Sequence, residues 1–244
     1  KRYGSVEALR GVSLSVAPGE LFGIIGPDGA GKTSLFRILT TLLLADGGSA
    51  SVCGLDVVKD YKAIRRRVGY MPGRFSLYPD LTVEENLNFF ATVFHTAIEE
   101  NYDLVRDIYR QIEPFRKRRA GALSGGMKQR AALIRTLALD PQLLLLDEPF
   151  SALDYQTRLM VSADICRLIR QAGKTMIIVT HDLSEAISLA DKVYVLSARP
   201  ATIKAVLPIR LTLPDASPLA ARNAPEFPYY FKQLWEELTD ETTN

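Results

Sequence analysis

Apolar positions along the chain follow two periods. Continuous or alternating apolar runs at about residues 12–17, 20–25, 49–53, 68–71, 142–147, 175–180, 192–197 and 203–207 predict strands. Apolar residues three and four apart predict helices at about 32–44, 83–94, 100–111, 126–139, 155–172, 184–190 and 225–238, the first carrying Leu35, Ile38, Leu39 and Leu42 on one face. Strands alternating with helices argue for an α/β sheet with ligands at the carboxyl ends of its strands. Between Leu81 and Gly126 the strand pattern stops. That stretch opens with Thr82-Val83-Glu84-Glu85, a capping box, and continues as amphipathic helix. The tail after Leu211 has Pro214, Pro218, Pro225 and Pro228 and then "YYFKQLWEEL", a linker and an amphipathic helix. The units expected are therefore 1–82, an inserted helical unit 83–128, a return to the sheet over 129–210, and a C-terminal linker and helix, 211–244.

The chemistry starts at "GPDGAGKTSLFRIL", residues 26–39, between a buried-strand pattern (Leu21 to Ile25) and an amphipathic one. Gly26, Gly29 and Gly31 with Lys32 and Thr33 match the phosphate-loop spacing, in which side-chain-free residues let backbone N–H groups converge on an anion at a helix N-terminus. A tight turn would explain the glycines alone, but not the lysine and hydroxyl placed where a nucleotide phosphate and Mg²⁺ need them. A second element, "LLLLDEPFSALD" (143–154), reads as a strand buried on both faces with two carboxylates at its carboxyl end. Asp147 is placed to hold Mg²⁺ through its water shell, and Glu148 to polarise a water for attack on a terminal phosphate. The third, "LSGGMKQR" (123–130), opens a helix with a serine and two glycines, a second anion site that one nucleotide does not need from one subunit.

Composition narrows the setting. The 244 residues are 47% hydrophobic and 24% charged, with a net charge of +2 that gives no argument for nucleic acid. The clusters Arg65 to Arg67 and Arg116 to Arg119 read as solvated faces. Cys53 and Cys166 lack metal-ligand spacing and suit core packing in a reducing compartment. No apolar run reaches the roughly 18 residues of a membrane span, so a membrane role is expected to come through a partner. The chain opens at Lys1, close to the alternation Val12, Leu14, Val16, and the native chain is expected to carry a further strand before it.

Phosphate loop, LSGGM signature, leucine strand ending in Asp-Glu, Ser151-Ala152-Leu153-Asp154, and "TMIIVTH" ending in His181, in that order, resemble the ATP-binding-cassette (ABC) ATPases over nearly the whole chain. The resemblance implies a phosphate-loop core sheet with an N-terminal antiparallel β subdomain and an inserted helical subdomain. It also implies a head-to-tail dimer with two ATP molecules between subunits, which accounts for the second anion site. In that arrangement Tyr3 would stack on adenine. Lys32 and the amides of Gly29, Ala30, Gly31, Lys32, Thr33 and Ser34 would hold phosphates, and Thr33 and Asp147 the Mg²⁺. Ser124, Gly125 and Gly126 would reach the γ-phosphate of the nucleotide on the other subunit. His181 would contact the γ-phosphate beside Glu148, and Asp154 would link the two sites. Partners implied are a second such subunit and a transmembrane permease, with the chain cytoplasmic and peripheral on the membrane.

Two departures stand out. Where the family carries a glutamine after "GYMP", this chain has Gly73, which removes a Mg²⁺-touching and permease-sensing side chain. Up to about Met127 the sequence resembles multidrug- or ABC-2-type exporter ATPases, and from about Ala131 the nitrate, sulfonate and taurine importer ATPases. A junction inside one helix predicts loose core contacts there. The exporter-like segment from Gly73 into the helical unit leans towards an export permease. Two rival readings are a phosphate-loop kinase, which leaves the LSGGM helix unexplained, and a nucleotide-binding module without catalysis.

Overall fold

The computed structural model describes residues 1–73, 77–94, 101–213 and 217–239. Its centre is a six-stranded sheet. In spatial order the strands are β10 (Ile203–Pro208), β9 (Lys192–Leu196), β3 (Leu21–Ile25), β8 (Thr175–Val179), β7 (Leu143–Asp147) and β6 (Val68–Met71). All neighbours pair in parallel except β10 on β9, so the carboxyl ends of β3, β8, β7 and β6 open on one edge. The chain runs from β3 outward to β6 and returns through β7 and β8, which places β8 between the phosphate-loop strand and the acidic strand.

Each face of the sheet has its own core. β7 is buried along its whole length, as its four leucines predict. Leu144 and Leu146 join Met176 and Ile178 under α3 (Val83–Val93), α4 (Tyr102–Ile112), α5 (Gly125–Leu137) and α6 (Tyr155–Gln171). Leu143 and Leu145 join Phe22, Ile24, Ile177 and Val179 under α1 (Lys32–Leu39) and the N-terminal segment. A third cluster packs α7 (Leu183–Leu189) and Leu234 of α9 (Phe227–Thr239) against Val193 and Val195.

Several sequence expectations shift. Residues 12–17 keep their alternation, with Val12, Leu14 and Val16 packed on the second core, yet form no strand ladder. Outside the central sheet, the antiparallel β elements among the described residues are two short pairs, β1 (Arg2–Tyr3) with β2 (Val6–Glu7) and β4 (Ser51–Val52) with β5 (Leu55–Asp56). α1 stops at Leu39 because Thr41 turns to φ 62° and the amides of Thr41 and Leu42 return to Ile38 and Arg37, a Schellman closure. Arg65, at the end of the unpredicted helix α2 (Tyr61–Arg65), clamps that closure by donating to the Thr41 hydroxyl and carbonyl at 2.9 Å each. Leu42 is consequently exposed. A further short helix, α8 (Pro218–Arg222), precedes α9.

The capping box at Thr82 and Glu85 is formed in both directions. Looseness at the junction of the two sequence halves is not found. Ala131, Leu133, Ile134 and Leu137 of α5 are buried in the same cluster as Leu87 of α3 and Ile165 of α6. His95, Arg74 and Pro214 lie outside the described residues.

Candidate functional site

The loop between β3 and α1 is bent by its glycines. Gly29 (φ 76°) and Gly31 (φ 88°) occupy left-handed backbone that side chains disfavour. A Cβ on Gly31 would stand 2.8 Å from Leu9 Cδ2, and one on Gly26 3.0 Å from the Leu196 carbonyl oxygen. The chain's ninth residue and the end of β9 thus wall the loop closely. No side chain caps α1 and no acid sits in its first turn, so the first-turn amides of Lys32, Thr33 and Ser34 have no intrahelical acceptor. The Ala30 amide is used within the loop, donating to Pro27 at 3.1 Å. Lys32 is buried, and its ammonium donates to the carbonyls of Gly26 (2.7 Å) and Pro27 (2.9 Å), two of its three donors. Burial holds the Lys32 pKa below its usual value, opposed by the nearby carboxylates of Glu148, Asp28 and Asp147.

A cleft of about 430 Å³ opens over this loop. It is lined by Tyr3, residues 28–34, Glu148 and Arg199 among others. Tyr3 is held there by a 3.0 Å hydrogen bond between its hydroxyl and that of Ser34.

Asp147 and Glu148 end β7 beside the loop. Glu148 takes φ 48°, a left-handed conformation that costs a side-chain-bearing residue on the order of 1 kcal/mol, and its N–H donates to Val179 of β8 at 2.8 Å. That turn brings its Oε2 to 3.4 Å from His181 Nδ1. Burial raises the Asp147 carboxyl pKa, while the Thr33 hydroxyl pulls it down; the Glu148 charge adds to the rise, and Tyr70 and Lys32 oppose it. Tyr70 on β6 donates to Asp147 Oδ2 at 3.4 Å, and burial beside that carboxylate pushes the phenol up to about 12. Gly73 packs on the same corner: a Cβ there would meet the Asp147 carbonyl oxygen at 2.8 Å.

Among the described residues no cluster of three His, Cys, Asp or Glu side chains forms a metal centre. The Thr33 hydroxyl beside the Asp147 carboxylate instead offers hard oxygen donors from two elements. Such a pair suits Mg²⁺, which completes its shell with water and phosphate oxygens.

Ser124, Gly125, Gly126 and Asp154 form a separate cluster. Ser124 caps α5 by accepting from the Met127 amide at 3.4 Å. Gly125 packs on Leu153, and a Cβ on Gly126 would stand 2.5 Å from Thr157 Cγ2. Asp154 caps α6 through the Thr157 amide at 3.0 Å. One turn on, Arg158 reaches Asp182 (3.0 Å), Glu185 (3.5 Å) and the Leu153 carbonyl (3.2 Å). Asp182 caps α7, and the Thr180 hydroxyl donates to the buried Glu185 at 2.6 Å. The residues on both sides of His181 are therefore tied to the loop that carries Asp154.

The chain thus brings Tyr3, the phosphate loop, Asp147, Glu148 and His181 to one edge, and sets the LSGGM turn with Asp154 in another group. Tyr70, Arg158 and Arg199 were missed by the sequence reading. Arg158 carried a signal, since it lies one helical turn after Asp154; Tyr70 was one hydroxyl in an apolar strand, and Arg199 had none.

Comparison with known proteins agrees with this arrangement. The family model described as ABC transporter matches residues 9–151. The chain is 35% identical over 233 residues to the uncharacterized ABC transporter ATP-binding protein YtlC of Bacillus subtilis (strain 168), covering 95% of this chain and 88% of that one. It is 39% identical over 198 residues to the Nod factor export ATP-binding protein I of Burkholderia orbicola (strain AU 1054), covering 80% and 65%. It is 36% identical over 203 residues to the sulfate/thiosulfate import ATP-binding protein CysA of Bacillus cereus (strain ATCC 14579), covering 81% and 57%. The chain therefore spans less than two thirds of these last two relatives. Among solved structures, the dimeric post-hydrolysis state of the ATP-binding cassette MJ0796 bound to ADP and Pi superposes with a TM-score of 0.73 at 27% identity, covering 86% of this chain and 95% of that one. With the ordered motifs, the parallel sheet and the cleft over its phosphate loop, the chain belongs to the ABC transporter ATPases.

Proposed function

We propose that this chain binds Mg-ATP in the cleft over residues 26–34, dimerises head to tail with a second copy, hydrolyses the nucleotide and drives a separate transmembrane permease. The observation that carries the reading is that two glycine-opened helix starts, those of α1 and α5, lie in separate groups of one chain, and each suits an anion. In the dimer, Ser124, Gly125 and Gly126 of one subunit face the γ-phosphate held by the other, and Asp154 stands at the contact. Tyr3 stacks on the base. Lys32 and the loop amides neutralise the β- and γ-phosphates, and Glu148 orients the attacking water beside His181. Mg²⁺, held by Thr33 and Asp147, supplies charge neutralisation at the phosphate oxygens.

Residues 1–82 and 129–210 act as the core, 83–128 as the helical unit that meets the permease near Gly73, and 211–244 as a tail. No described helix is long and apolar enough to cross a membrane, so attachment to the cytoplasmic face through the permease is part of the proposal. Relatives named for export and for import match at similar identity, and direction belongs to the permease; the lean to export rests on residues 73–127 alone.

The test is light scattering on Glu148→Gln with and without Mg-ATP, beside wild-type phosphate release. A dimer only with nucleotide, and turnover lost in the variant, supports the proposal. A monomer that binds ATP, with no turnover in the wild type, favours a module without catalysis.

A further inference from the structure

Arg199 lies in the turn between β9 and β10 and lines the cleft from the far end of the chain. Its guanidinium is laid against the phosphate loop. A Cβ on Gly29 would meet Arg199 Nη2 at 3.0 Å, Cζ at 3.4 Å and Nε at 3.5 Å.

The turn is fixed, so the side chain starts from a rigid base. The Ser197 amide donates to Thr202 at 3.0 Å, the Ala201 amide to Ala8 at 3.0 Å and the Arg10 amide to Ala201 at 2.8 Å, and Ala201 is fully buried. No ion pair or side-chain hydrogen bond from Arg199 is present among the described residues. Asp28 lines the same cleft without pairing to it.

The exposed Arg199 guanidinium therefore keeps its donors available to a ligand in the cleft. It lies against Gly29 of the phosphate loop and lines the same cleft as Lys32 and the first-turn residues of α1. A planar fork of donors suits phosphate oxygens, and a cleft that also holds Lys32 and the open amides of α1 suits a polyanion. We propose that Arg199 is a further nucleotide-binding residue, donating to the polyphosphate of the nucleotide from the turn between β9 and β10. The inference rests on the cleft being the nucleotide site.

The test measures binding of Mg-ATP to the full chain by calorimetry and competition by inorganic tripolyphosphate, which lacks base and ribose. Arg199→Gln is expected to weaken both about tenfold, with partial recovery in Arg199→Lys, which keeps the charge but not the fork. Because Arg199 is exposed, both variants are expected to fold, which circular dichroism checks. Lys32→Ala serves as control and is expected to lose both ligands. Weaker ATP with unchanged tripolyphosphate would assign Arg199 to base or ribose and overturn the proposal, as would unchanged binding of both. If the wild type binds neither ligand, the reading of the cleft fails first; if Lys32→Ala loses binding and Arg199→Gln does not, only Arg199 fails.

Discussion

His181 Nδ1 stands 3.4 Å from Glu148 Oε2, although the two residues follow different strands, β8 and β7. The strained turn at Glu148 and the capped start of α7 create this approach from opposite sides. A pair that positions one water acts as a unit. Glu148→Gln and His181→Ala are each expected to lower the ATPase rate by about 10²–10⁴. The double variant is expected to lose little more than the worse single one. Steady-state phosphate release reads all three, and losses that multiply would mean that the residues act separately.

Arg158 links Asp182 and Glu185 to the loop before α6, so removing it strands a buried carboxylate. Arg158→Ala is expected to cost roughly 2–4 kcal/mol by urea titration, near the lower range for breaking a buried pair. Arg158→Lys is expected to recover part of it.

The same network has a pH signature. Burial holds the Glu185 carboxyl above 4.5, while the Thr180 hydroxyl opposes the shift, Asp182 adds to it, and Arg158 and His181 oppose it. A raised folded pKa means that the folded chain takes up the proton first as pH falls. That stabilisation is present at acid pH and is lost as pH rises through the folded value. Glu185→Gln lacks it. The melting-temperature difference between wild type and Glu185→Gln is expected to move against the wild type from 4.5 upward towards neutrality. A difference that is flat or moves the other way would exclude it.

The sequence reading expects a glutamine at the place of Gly73, but the corner Gly73 fills has no room for a Cβ, which would lie 2.8 Å from the Asp147 carbonyl oxygen. Gly73→Ala and Gly73→Gln must therefore part the ends of β6 and β7. Both are expected to lose about 1–3 kcal/mol of stability and to need more Mg²⁺ for half-maximal hydrolysis. A stable Gly73→Gln with a lower Mg²⁺ requirement would show that the corner opens freely.

Gly126 gives a prediction of repair. Its absent Cβ leaves space that Thr157 Cγ2 occupies, with 2.5 Å between them if alanine were placed there. Gly126→Ala is expected to lose ATPase activity and nucleotide-dependent dimer. Thr157→Ser, which removes the methyl group, is expected to restore much of both. Failure of the double variant would place the loss in the anion site itself.

The fold's central elements were legible because each carried a strong physical signature. The four leucines of β7 need both faces covered, the capping box needs Thr82 and Glu85 three apart, and the phosphate loop needs glycines at left-handed positions. Residues 12–17 misled because alternating burial was read as ladder pairing; the side chains pack, but no strand lies beside them. α1 was read too long because Leu42 keeps the helical spacing while Thr41 breaks the backbone, and a threonine at φ 62° has no sequence cue. The site's loop and acids were legible for the same reason as the fold, whereas Arg199 joins it across more than 160 residues through a turn that no local pattern describes.

Arg135, near the far end of α5, is buried over the Phe90 ring of α3 at 4.5 Å, and burial draws its pKa down to about 10. The same helix begins with the LSGGM turn. α5 is therefore a rod with the LSGGM turn at its tip and its shaft gripped by the helical unit and by α6 together. In the proposed dimer, a swing of α3 against the sheet would displace that tip, and the spacing between two facing subunits would load α3.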